Sequence, residues 1–433
     1  MGIVFEKKIG GSYKSEDSCR KVDSRRVPFT KLTSQNIKFL KSLGLKLRKK
    51  PFASSSFNNN DEIRISVQNQ DLCLLPSKSS LHICGRLTKT DNAAVANTEL
   101  VNNAICHLFE EIRYELNAVE IDRCKNVGLT TLMKNYISQS PSQGFLMENA
   151  GWRIDKEKKI TDDAGYFDVS IPLSMILGFA EDNQRIVVNA EHELILTRSH
   201  NDINAVIQGA PAAGQQAKTF KISLTKIDWM IPYIKPADSQ KVQLLNQISK
   251  DNLVPISFRA WEWYEYPLLP RTSKHVWIVK TSTQLEKPHY VIVGFQTACK
   301  NQPLKNASEF DHCNIREIKL FLNSQSYPYG NLNLDIAHNQ SALLYDMYTS
   351  FQTSYYHKEP EPLFSRAEFL ETAPLIVIDC SKQNEFLKSG PVDIRLEFES
   401  SADFPNNTAA YCLILHDRII EYSLLSGSVK KLI

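Results

Sequence analysis

VDIRLEFES, residues 392–400, alternates without a fault: Val392, Ile394, Leu396 and Phe398 fall on one side of an extended chain, Asp393, Arg395, Glu397 and Glu399 on the other. Period two is the spacing of a strand with one buried face, because successive side chains leave the pleat in opposite directions. The same spacing recurs far away in sequence. Ile63, Ile65 and Val67 alternate with Arg64 and Ser66. Phe220, Ile222 and Leu224 alternate with Lys221 and Ser223, and beyond Lys226 the apolar phase moves to Ile227 and Trp229, as a β-bulge would produce.

Other runs, Leu375 to Ile378 and Tyr411 to Leu415, are apolar on both faces and suit interior strands. Hairpin turns are expected at Asn117-Ala118 and at His416-Asp417-Arg418. Helices are few. One follows Pro236, capped by Asp238 or Ser239, with Val242, Leu245 and Ile248 on one stripe. A second covers about Val127 to Ile137, and a third about Ala342 to Tyr356, with Leu344, Met347, Phe351 and Tyr355 on one face. Many short strands with few helices indicate sandwiches or barrels, and at 433 residues the chain is too long for one core. The reading is all-β: a double jelly roll, two consecutive eight-stranded antiparallel sandwiches, with residues 1–60 a basic flexible arm, 61–237 the first sandwich and 238–433 the second.

The arm rests on charge. Residues 1–52 carry 14 Lys and Arg against 4 Asp and Glu, a net of +10, so the overall +3 leaves −7 for the rest. Lys46, Arg48, Lys49 and Lys50 are the residues expected to touch nucleic acid or a neighbouring subunit through non-specific contacts, beside an amphipathic turn around Ile37, Leu40, Leu43 and Leu47. No apolar run approaches the roughly 18 residues of a membrane helix, and the charged N-terminal residues lack the apolar centre of a signal peptide. Nine scattered cysteines, never C-x-x-C, fit free thiols in a reducing compartment, where the sequons at Asn306, Asn339 and Asn406 are chance matches.

Catalytic spacings are missing from the sequence: no phosphate-cradling Gly loop, no G-x-S-x-G, and at His192-Glu193 no second histidine to make H-E-x-x-H. The ten histidines lack the clustered spacing of a metal site, so no enzyme activity, cofactor or metal is expected. Trp261 and Trp263 share one face of a strand and are expected to fill the second core. Tyr264 and Tyr266 share the other and are placed at a subunit contact, where amphipathic aromatics are enriched.

Five longer strings add a resemblance: LFEEIRYELNAVEIDR (108–123), IVVNAEHELILTRS (186–199), KHVWIVKTSTQLEKPHYVIVGFQT (274–297), FDHCNIREIKLFLNSQSYPYGNLNLD (310–335) and AYCLILHDRIIEY (410–422). Over roughly residues 100–433 the chain resembles the double jelly-roll major capsid proteins of Polinton (Maverick) elements and adintoviruses, including their arthropod-genome relatives. The resemblance implies a homotrimer forming a pseudo-hexagonal capsomer, contacts with neighbouring capsomers and a penton protein, an icosahedral shell enclosing a DNA genome, and residence in the virion after assembly inside the cell. One departure is Ala118, where glycine is expected in the turn. A host-adopted or lectin-like jelly-roll binding protein that forms no shell is the alternative reading.

Overall fold

The computed structural model describes residues 46–52, 57–68, 73–89, 97–153, 158–210, 218–234, 238–250, 253–281, 287–382 and 392–432, with 91, 93 and 95 between them. Of the twenty described strands, sixteen fall into two sets of eight, and four short ones (Cys73–Leu74, Thr98–Leu100, Val206–Gln208 and Val429–Lys431) lie outside them. The first set is β1 (Lys46–Lys49), β2 (Glu62–Val67), β3 (Ser80–Thr88), β4 (Phe109–Leu116), β5 (Val119–Lys125), β6 (Tyr166–Pro172), β7 (His192–Arg198) and β8 (Lys221–Ile234). The second is β9 (Leu253–Tyr266), β10 (Lys274–Thr281), β11 (Pro288–Thr297), β12 (Ile315–Leu322), β13 (Gln325–Tyr327), β14 (Ile376–Asp379), β15 (Asp393–Ser400) and β16 (Thr408–Ser423).

The pairing is antiparallel and the same in both sets. The first sandwich has sheets ordered β1-β8-β3-β6 and β2-β7-β4-β5, and the second β9-β16-β11-β14 and β10-β15-β12-β13. Adding eight to every label of the first gives the second, so each is a complete jelly roll. Helices are inserted at the same place in each. Between β5 and β6 lie α1 (Val127–Ser138) and α2 (Pro141–Met147). A short α3 (Gly178–Asp182) follows β6, and α4 (Asp238–Ile248) joins the rolls. Between β13 and β14 lie α5 (Ala342–Tyr356) and α6 (Arg366–Thr372).

The alternating strings become the expected strands. Ile63, Ile65 and Val67 are buried on β2, and Ile394, Leu396 and Phe398 on β15. The phase change on β8 is a register shift between Leu224 and Lys226, which turns Ile227 and Trp229 inward again. Trp229 is fully buried and meets Tyr114 edge-on at 6.3 Å, while the Tyr114 ring stacks on Phe179 at 5.1 Å. His192, set beside Glu193 in a broken metalloprotease motif, is a core residue 2.7 Å from the Tyr114 hydroxyl. Burial drives its pKa down to about 3, so it is held neutral.

Two expectations need correction. The segment expected as an arm over residues 1–60 contains ordered structure: Lys46–Lys49 is β1, paired with β8 from Lys46↔Pro232 to Lys49↔Trp229, and the buried Arg198 guanidinium donates to the Phe57 carbonyl at 3.4 Å. Four lysine-rich residues are too few to show a period, and lysine on an edge strand is an ordinary guard against unwanted pairing. Leu47 therefore belongs to a strand and not to an amphipathic turn; Ile37, Leu40 and Leu43 lie outside the described residues. The second correction is at His416-Asp417-Arg418. No hairpin forms, because β16 runs straight through all three, paired in unbroken register with β9 from Leu253↔Ser423 to Tyr266↔Ala410. The helix expected after Pro236 forms as α4, with Val242 and Leu245 of its stripe 57% and 54% exposed.

The Asn117-Ala118 turn does join β4 to β5, with φ of +48° and +62°. It is therefore a left-handed two-residue turn despite the alanine. Asn117 anchors it: its Oδ1 accepts from Glu191 N at 2.7 Å and its Nδ2 donates to the Gly427 carbonyl. Alanine pays a steric penalty at positive φ that glycine does not. Ala118→Gly should raise the stability by about 0.5–1 kcal/mol in chemical denaturation; an unchanged or lowered midpoint would mean the alanine is unstrained.

Candidate assembly site

What a chain of two sandwiches can do depends on whether they act as one body and on which surfaces they leave open. Residues 43–433 cluster as a single compact unit, and the seam between the rolls accounts for it. The strands β9 and β16 are 14 and 16 residues long. Their upper halves complete the second roll, and their lower halves reach past it onto the first. There Phe258 of β9 meets Phe179 of α3 edge-on at 5.3 Å, Arg418 donates to the Ile121 carbonyl at 3.2 Å, and the Tyr422 hydroxyl donates to the carbonyls of Val188 and Asn189. His416 to Arg418, misread as a turn, is the polar stretch where the strand passes from one apolar environment to the other.

Beside this ladder lies a charged cluster drawn from both rolls. The first supplies Lys134 on α1 and Glu181 and Asp182 on α3; the second supplies Arg259 and Trp261 on β9 and Tyr355 and Tyr356 on α5. Lys134, 2% exposed, lies 2.8 Å from a Glu181 oxygen and donates to the Ser174 carbonyl at 2.8 Å. Tyr356 donates to Glu181 at 2.8 Å. Arg259 meets Asp182 through Nε and its own backbone N, each at 2.8 Å, and through Nη2, while its guanidinium lies 4.0 Å from the Tyr355 ring centre. Burial pushes the Glu181 carboxyl up, but the charge and hydrogen bond of Lys134 more than reverse this, leaving it below the usual range. Breaking such a pair from one side strands a desolvated charge.

Gly178 at the start of α3 permits the approach. A Cβ there would lie 1.7 Å from the Arg259 carbonyl oxygen. Further out, the Tyr136 hydroxyl of α1 donates to the Ser308 carbonyl between β11 and β12 at 2.8 Å, and Gln352 of α5 donates to the Gln139 carbonyl at the end of α1 at 3.1 Å, the latter tying together helices inserted at equivalent places in the two rolls.

The residues singled out from sequence are placed as follows. Trp261 is buried, but in the seam, against Tyr355 and 5.8 Å from Lys134 Nζ, and Trp263 stacks on Tyr411 at 5.0 Å. Neither fills the interior of the second sandwich as expected. Tyr264 and Tyr266 are half-buried on the opposite face of β9, and Tyr266 meets Trp277 of β10 edge-on at 5.8 Å. Of the four basic residues, Arg48 is engaged with Asp228 at 2.5 Å, while Lys46 and Lys50 are exposed and Lys49 half-buried. The structure does not bring these residues together with the two tyrosines.

Sequence reasoning missed Lys134, although a lone cation in the otherwise uncharged VGLTTLMKNYIS was a visible signal, since a lysine in a buried helix needs a partner. It also missed an apolar edge. Val276 and Ile278 point outward from β10, the border strand of its sheet, and are 62% and 66% exposed. Lys274 and Lys280 flank them, held by Glu399 at 3.1 Å and Glu262 at 2.8 Å. No described helix is long and apolar enough to cross a membrane.

A family model described as "Double jelly roll-like domain" matches residues 98–420. No curated protein sequence matches the chain. Among solved structures, that of the Sputnik virophage is similar with a TM-score of 0.60 at 8% identity, over 98% of this chain and 93% of that one. The mavirus major capsid protein gives 0.56 at 10%, over 99% and 96%. A quasi-atomic model of the PBCV-1 virus capsid gives 0.53 at 10%, over 90% and 96%. At such identities the likeness concerns the fold.

Proposed function

Since the chain belongs to the family of double jelly roll-like domains, we propose that it is a major capsid protein that assembles by burying its own surface around a three-fold axis. The observation that carries this reading is the seam: two complete sandwiches joined by a continuous strand pair and a buried ion cluster make one stiff block with two equivalent faces. Three such blocks present six similar sandwiches, the count a pseudo-hexagonal tile needs. The similar structures, of the PBCV-1 virus capsid and of the mavirus major capsid protein, point the same way. The finer reading follows the sequence resemblance: a shell of the Polinton and adintovirus type, closed by a penton protein around DNA, with the subunit made inside the cell and ending in the virion.

Each trimer contact should bury on the order of 2,000 Å² with an apolar centre. We assign that centre to Val276 and Ile278, with Tyr264 and Tyr266 at the neighbouring rim. The arm lying before β1, with Lys46 and Lys50 at its root, serves contacts between capsomers or with phosphate.

Negative-stain microscopy of the purified protein should show particles or hexagonal arrays, and mass photometry a trimer. The double variant Val276→Glu with Ile278→Glu should leave folded monomers. Dispersed wild-type monomers with no arrays would sink the capsid reading and favour a binding protein; trimers surviving the double variant would move the interface elsewhere. Deletion of residues 1–42, which spares β1, should keep trimers and impair shells.

A further inference from the structure

The geometry points to a binding site for a thiophilic divalent cation, zinc by its donor set, made by His82, Cys84 and Asp168 on the outward face of the first roll. His82 and Cys84 are two residues apart on β3 and therefore share a face, and Asp168 on β6 stands directly opposite Cys84 in the strand register. Histidine, thiol and carboxylate thus converge from positions 82 and 84 and from 168, which is why no motif spacing betrays them.

The three donor atoms lie within 4.8 Å of one another. Cys84 Sγ is 3.6 Å from His82 Nε2 and 3.4 Å from Asp168 Oδ1, while Nε2 and Oδ1 are 2.6 Å apart. A tetrahedral zinc with bonds of ~2.3 Å to sulfur and ~2.0 Å to nitrogen and oxygen sets sulfur about 3.5 Å from each lighter donor, and those two about 3.3 Å from each other. Both sulfur edges already fit. The third is a hydrogen-bond length, as expected when a proton rather than a metal joins imidazole and carboxylate. Opening it by about 0.7 Å needs only a side-chain rotation of Asp168, whose side chain is 70% exposed.

The chemistry is self-consistent. A thiolate, a carboxylate and a neutral imidazole neutralise a dication; on metal entry the thiol proton leaves to solvent, and the proton between Nε2 and Oδ1 gives way to the metal, the ligating imidazole keeping its one proton on Nδ1. Cys84 is a free, half-buried thiol at the sheet surface, open to an incoming ion. Three protein ligands leave a fourth position facing solvent, which water fills. Bound there, the ion clamps β3 to β6 across the outside of the sheet. This site does not depend on the capsid reading.

The test uses the full-length protein, stripped of metal and titrated with zinc or with cobalt as a spectroscopic stand-in. One metal per chain is expected, with a near-ultraviolet thiolate-to-cobalt band and tetrahedral visible bands. Cys84→Ser should abolish the thiolate band and weaken zinc binding at least about tenfold, as should Asp168→Asn, while Cys313→Ser changes neither. Failure of the wild type to bind stoichiometric metal, or a cobalt spectrum without a thiolate band, would overturn the proposal. Should a variant misfold, X-ray absorption of the zinc-loaded wild type decides it: one sulfur and two to three nitrogen or oxygen neighbours support the site, and an all-oxygen shell refutes it.

Discussion

Gly178→Ala should destabilise the whole chain by about 3 kcal/mol or more, a large effect for one methyl group. The added carbon would meet the Arg259 carbonyl oxygen at 1.7 Å and its carbon at 2.9 Å. Both belong to backbone inside a paired strand, so no rotamer change can relieve the clash. Either α3 lifts away from β9, breaking the Asp182–Arg259 contact and parting Phe179 from Phe258, or β9 bends and disturbs its ladder with β16. The denaturation midpoint should fall sharply in a single transition, because the damage sits where the two rolls meet. A variant melting within about 1 kcal/mol of the wild type would show that the seam gives easily, and the stiff-block argument would fail with it.

Lys134→Ala is the second large effect, at about 3–5 kcal/mol, the range for removing one partner of a buried ion pair. The alanine leaves Glu181 facing a low-dielectric seam with only Tyr356 and the more distant Arg259 to compensate. A pH series separates charge from packing. In the wild type the Glu181 pKa lies below its ordinary value, so its contribution is present above the usual carboxylate range and disappears as pH falls through the lowered value. Without Lys134 burial prevails and that pKa rises, so the variant gains relative to the wild type once Glu181 is protonated. The stability gap should be widest near neutrality and narrow at about pH 4 and below. A gap independent of pH would assign Lys134 to packing alone.

The sandwiches were legible because their strands bury one face: Ile63 to Val67 on β2 and Ile394 to Phe398 on β15 announce themselves by period, and even the bulge on β8 shows as a phase change. What was hidden follows from physics that period does not encode. β1 is four residues at a sheet edge, where lysine is favoured and alternation is too short to see. The polar triplet His416 to Arg418 looks like a turn, yet a strand crossing between two bodies must also be polar at the crossing. Turns here are often made by asparagine in the left-handed region, as at Asn103, Asn126 and Asn189, so glycine does not mark them. The seam cluster needs Lys134, Glu181 and Arg259 from three separate elements, and the outward His82, Cys84 and Asp168 need two strands in register; neither leaves a local pattern. Tyr266 is half-buried, and that its ring also meets Trp277 of its own roll could be found only by closing the sandwich.

The long β9–β16 pair has a mechanical consequence. A pull that separates the two rolls loads this ladder along its strands, where many bonds must yield together, instead of peeling it open one rung at a time. Under strain from within, a wall of such subunits should slip at the joints between neighbours well before any one of them tears in half.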